Sequence, residues 1–72
     1  MNKDEFITEL AYVLETPSDK ISMDDELNNF KAWDSLAMMT FVVVFRDKVK
    51  KEIDPMQVVK CIKISDLLQL VS

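Results

Sequence analysis

The sequence has no histidine and no glycine, and its 72 residues hold only one cysteine and two prolines. Without histidine, the Ser–His and Cys–His pairs of nucleophilic catalysis cannot be assembled. Cys61 with carboxylates alone is a poor zinc set, so no metal is expected. Without glycine, phosphate-cradling loops and the turn of an EF-hand are excluded. The lone cysteine has no intrachain partner, which fits a reducing, cytoplasmic setting. The longest uncharged run, Ser35 to Phe45, is too short to span a bilayer. No N-terminal stretch has the charged-then-apolar plan of a signal peptide. These absences leave a chain that does no chemistry of its own. A serine without an internal base can still be modified by another enzyme.

At this length residues 1–72 are expected to form one small domain, acting as a monomer. A net charge of −4 disfavours nucleic acid and favours basic protein partners. The charge is unevenly spread: residues 1–16 and 18–34 carry −3 each, 35–45 none, and 46–63 carry +3. Acidic helix starts and a basic end to the central helix suit helix dipoles.

Four helices are legible. Asn2 caps the first, with Glu5 in capping-box position, and Phe6, Leu10 and Val13, flanked by Ile7 and Leu14, form its apolar stripe. Pro17 stops it, because the residue before a proline is pushed out of the α region. Residues 17–34 form a long connection that Ile21, Leu27, Phe30 and Trp33 pin to the core. Asp24-Asp25-Glu26 within it reads as a solvated acidic turn. A central helix runs from about Asp34 or Ser35 to about Lys50, its core arc made of Met38, Phe41, Val42, Phe45 and Val49 at helical spacing. Leu36, Ala37 and Val43 fall outside that arc, close to Ser35, and Met39 reads as core filler. The Val42-Val43-Val44-Phe45 run has strand propensity, but a strand would have no partner in this chain. Asp54-Pro55 opens a short third helix, with Gln57 in capping-box position and Ile53 and Val58 in staple positions. It ends near Cys61, read as a small buried hydrophobe. Ser65 caps the last helix, whose core candidates are Leu67, Leu68 and Val71. The expected architecture is all-α.

Asp34 and Ser35 form a good helix opener, since either side-chain oxygen can accept a first-turn N–H. Ser35 would then stand at the positive end of a helix dipole, where a phosphate is stabilised. Asp34-Ser35-Leu36 opening an apolar helix near mid-chain, in a small acidic chain of four helices with a long first loop, resembles the acyl carrier proteins. The resemblance spans almost the whole sequence. It implies a four-helix bundle in which Ser35 carries covalent 4′-phosphopantetheine, donated by coenzyme A through a phosphopantetheinyl transferase. The arm's thiol would hold an acyl group for enzymes of fatty-acid, polyketide or related biosynthesis, with acyl-loading ligases or transferases as further partners.

Two features depart from the family. Ala32 stands where a glycine is frequent, and it can follow the same path only with negative φ. Where fatty-acid carriers place acids on the central helix, this chain has Ala37, Thr40, Val43 and Arg46, with Asp47 the sole acid. The departure implies a specialised member whose partners meet Leu36, Ala37, Thr40, Val43 and Arg46. Two alternatives stay open: an aminoacyl or peptidyl carrier loaded by an adenylate-forming ligase, and an unmodified helical module docking through Leu36 and Val43.

Overall fold

The computed structural model describes all of residues 1–72. Helix α1 spans Lys3–Leu14, and the Asn2 side chain accepts the Glu5 N–H at 2.8 Å. The helix stops ahead of Pro17, not at it. Glu15 turns left-handed at φ 50°, its N–H reaching the Tyr12 carbonyl, while the Thr16 N–H reaches Ala11 at 3.1 Å. This is a Schellman pair built without the glycine such a cap prefers.

Two short 3₁₀ turns, Ser18–Lys20 and Leu27–Asn29, punctuate the long connection. Leu27 and Trp33 are buried, and Ile21 and Phe30 half-buried, so the expected anchors hold the loop down. Asp25 is less solvated than expected. It is half-buried, and its carboxylate accepts the Ser22 N–H at 2.8 Å.

Helix α2 runs Ser35–Val49 and ends at Lys50, left-handed at φ 59°, whose N–H donates to the Arg46 carbonyl at 2.9 Å. Phe41 and Phe45 stack with centroids 4.4 Å apart. Phe6 of α1 tilts against Phe45 at 5.6 Å, and Trp33 meets Phe41 edge-on at 6.2 Å. Val42 is buried with them, while Met38 and Val49 are half-buried. The β-branched run stays helical because its first residue and Phe45 face this aromatic centre, an instance of packing overriding strand propensity. Ala37 departs from expectation: it is buried, because the flank of α2 that carries it lies toward α1.

Helix α3 spans Pro55–Lys60 and packs on α2. The Asp54 carboxylate accepts the Met56 N–H at 2.9 Å, and Ile53 and Val58 are buried. Helix α4 spans Ile64–Val71, with Ile64, Leu67 and Val71 buried and Leu68 half-buried. Its expected cap, Ser65, lies inside the first turn instead. The first loop does the capping: Met23 and Asp25 carbonyls accept the N–H groups of Ser65 and Ile64 at 3.1 and 3.0 Å. Asp66 then reaches back, one carboxylate oxygen taking the Ile62 and Lys63 N–H groups at 3.0 Å each. Leu27 completes the seam by donating to the Ile62 carbonyl at 2.8 Å. The long loop is thereby fixed to the far end of the chain. No helix is long and apolar enough to cross a membrane.

Candidate functional site around Ser35

Three features set Ser35 at an exposed helix start. Asp34 is extended (φ −129°, ψ −173°), and its carboxylate accepts the Ala37 N–H at 2.9 Å while its carbonyl takes the Met38 N–H at 3.0 Å. Trp33 is locked against Phe41, and the Trp33 N–H is held by the Phe30 carbonyl at 3.1 Å. Ala32 has no positive φ, so alanine follows the turn without the strain that would call for glycine. Ser35 is therefore presented by a rigid corner.

Ser35 is exposed and its Oγ makes no hydrogen bond within the protein. The N–H groups of Ser35 and Leu36 also lack a protein acceptor, since Asp34 satisfies only the two donors that follow. An oxygen ester of phosphate on Oγ would meet two free donors at the positive end of a four-turn helix, so the residues fit such a group. The four other serines offer less. Ser22 lies in the acidic turn and takes the Asp24 N–H, the Ser72 hydroxyl is bonded to the Leu68 carbonyl, Ser18 opens only a 3₁₀ turn, and Ser65 is half-buried.

No base stands ready to activate Ser35. The chain lacks histidine, and the one carboxylate next to it is engaged as the cap. Cys61 is no substitute nucleophile. It is half-exposed, not buried as expected, its thiol donates to the Gln57 carbonyl at 3.3 Å, and burial together with the Asp66 carboxylate pushes its pKa up.

A family model described as phosphopantetheine attachment site matches residues 4–71. The chain belongs to that family. Neither a search of curated proteins nor a search of solved structures returns a match. The family carries a covalently attached 4′-phosphopantetheine, and this protein is accordingly a carrier domain of the acyl-carrier type. Its members are in general carriers rather than catalysts.

Around the corner, Leu36, Thr40 and Val43 form an outward ridge on α2, with Leu36 76% exposed and Val43 47%. Thr40 keeps its hydroxyl on the ridge, bonded to the Leu36 carbonyl at 3.0 Å. Arg46 is exposed one turn further on and forms no ion pair; the one pair present joins Lys48 to Glu9 of α1 at 3.5 Å. Ala37 turns inward and contributes only to the floor of a shallow groove between the end of α1 and the start of α2. Met39, expected as core filler, is half exposed beside the ridge. Met56, Val59 and Ile62 are exposed as well, and were not legible as surface residues. In α3 only Val58 of the six residues is buried, so the short helix gives the core a single side chain.

Proposed function

We propose that Ser35 is the attachment site, and that the protein carries an acyl group to partner enzymes of fatty-acid, polyketide or related biosynthesis. The observation that carries this reading is the exposed Ser35 Oγ, free of hydrogen bonds, beside two unpaired N–H groups in a chain of the carrier family. When attached, the arm supplies the thiol that holds the cargo as a thioester. The chain's own contribution is position and address. Asp34 fixes the helix start, the free N–H groups of Ser35 and Leu36 receive the phosphate, and the ridge beside them is met by partners. Leu36, Thr40, Val43 and Arg46, with the edge of Ala37, form that docking ridge around the arm. Because nothing in the chain can deprotonate Ser35, a separate phosphopantetheinyl transferase must install the group from coenzyme A.

The test is intact mass after incubating the protein with coenzyme A, magnesium and a broad-specificity transferase. One phosphopantetheine should be added to the natural chain and none to Ser35→Ala, with both equally folded by circular dichroism. A natural chain that gains no mass, or a Ser35→Ala variant that gains it, overturns the assignment.

A further inference from the structure

Tyr12 is the most exposed of the large apolar side chains at the surface, at 81%, and its hydroxyl makes no hydrogen bond within the protein. The fold makes no use of it, since the core-facing stripe of α1 is Phe6, Leu10, Val13 and Leu14. A ring with a polar tip left in water suits a contact that is part apolar and part hydrogen-bonded. Tyr12 lines the shallow groove between the end of α1 and the start of α2. Tyr12 and Glu15, one turn apart, border it from α1, and Leu36 and Thr40, one turn apart, border it from α2. Between them stand Ala32 and Ala37, neither large enough to fill the space. The groove measures about 340 Å³, at the small end of the range that holds a small ligand.

The position of the groove says what occupies it. Asp34 and Leu36, on either side of Ser35, both line it. The other hollow at this corner runs past Glu15, Ala32 and Asp34 toward Lys31, again on the α1 side. No hollow lies between α2 and α3, where Met39 and Met56 stand out from the surface. Glu15 is exposed and forms no ion pair, so its carboxylate is an open acceptor at the rim. That carboxylate is kept on a left-handed residue where glycine would be unstrained.

We infer that the unacylated phosphopantetheine arm lies down in this α1–α2 groove, held chiefly by Tyr12, and not along α2 and α3. This rests on the reading that Ser35 carries the arm. A pantetheine chain combines a gem-dimethyl carbon and methylene groups with a hydroxyl and two amides. Its apolar parts suit Tyr12, Leu36 and Ala37. Its hydroxyl and amide N–H groups suit the Glu15 carboxylate, and the Tyr12 hydroxyl can donate to an amide carbonyl. Tethering gives an effective concentration on the order of millimolar, so contacts too weak to hold free pantetheine are enough. The thiol is thereby drawn toward α1 until a partner enzyme lifts the arm.

The test begins with intact mass and peptide mapping of the transferase-treated protein, which read whether one phosphopantetheine stands on Ser35. Failure there overturns the carrier reading and this inference with it, whereas a modified protein whose arm lies elsewhere overturns this inference alone. In isotope-filtered NMR of labelled protein bearing an unlabelled arm, the gem-dimethyl protons should give cross-peaks to Tyr12, Leu36 and Ala37. With Cys61→Ala leaving the arm's thiol as the only one, Tyr12→Ala should abolish those cross-peaks and let the thiol react with a disulfide reagent about three-fold faster. Tyr12→Phe should keep the cross-peaks, because the ring remains. Met39→Ala with Met56→Ala should change neither readout. Cross-peaks to Met39, Val43 or Met56 would overturn the inference. So would arm resonances matching those of free phosphopantetheine, or a thiol rate indifferent to Tyr12→Ala.

Discussion

Asp34 and Ser35 divide the work at the start of α2: one caps the helix and the other remains free. Asp34→Ala should cost about 1 kcal/mol in urea unfolding, the usual loss for an N-cap, whereas Ser35→Ala should be close to neutral. A larger loss at Ser35 would show that its hydroxyl serves the fold. Asp66 has the opposite character, since one of its carboxylate oxygens takes two backbone N–H groups. The N–H groups of Lys63 and then Ile62 hold its carboxyl below the usual carboxylate range. A lowered folded-state pKa stabilises the protein above the unfolded value, and that contribution is lost as pH falls through the folded one. The urea midpoint of the natural protein should therefore drop more steeply in acid than that of Asp66→Asn. Parallel pH profiles would contradict this. Asp34-Ser35 was legible in the sequence because a cap is a local signal. The role of Asp66 was not, because the donors it serves precede a helix whose start is set by Met23 and Asp25, forty residues away in the chain.

The two longest helices, α1 and α2, both end on a residue forced into the left-handed region, Glu15 and Lys50, in a sequence with no glycine at all. Glu15→Gly and Lys50→Gly should each stabilise the protein, by up to about 1 kcal/mol, since glycine takes that conformation without a Cβ clash. A loss of stability would mean that the side chains repay the strain. At this scale helix number, order and central packing were readable from apolar spacing, with Phe6, Leu10, Phe41, Phe45 and Leu67 all at the centre. Two features escaped. Pro17 hid the Schellman stop before it, and Ala37 proved buried because α1 leans over its flank, which a helical wheel drawn for α2 alone does not show. A strand-prone stretch, Val42 to Phe45, was correctly read as helix only by asking what a strand would pair with.

The whole molecule has nine of its thirteen acids between Asp4 and Asp34 and its excess of bases from Arg46 to Lys63. A core centred on three phenylalanines and lined by half-buried Met38, Met23 and Leu68 has adaptable side chains at its edge. Loading a medium-length acyl group onto the arm should raise the melting temperature above that of the unacylated form, because burying the chain favours the folded state. Equal melting temperatures across acyl lengths would place the cargo outside the protein. That expectation depends on the arm standing at Ser35. The most direct measurement is peptide-level mass spectrometry of the protein purified from its own cells. The fragment containing Trp33 to Thr40 should carry phosphopantetheine, free or acylated, with the phosphodiester on Ser35. A fully unmodified fragment, or the group on Ser18, Ser22, Ser65 or Ser72, would contradict the account.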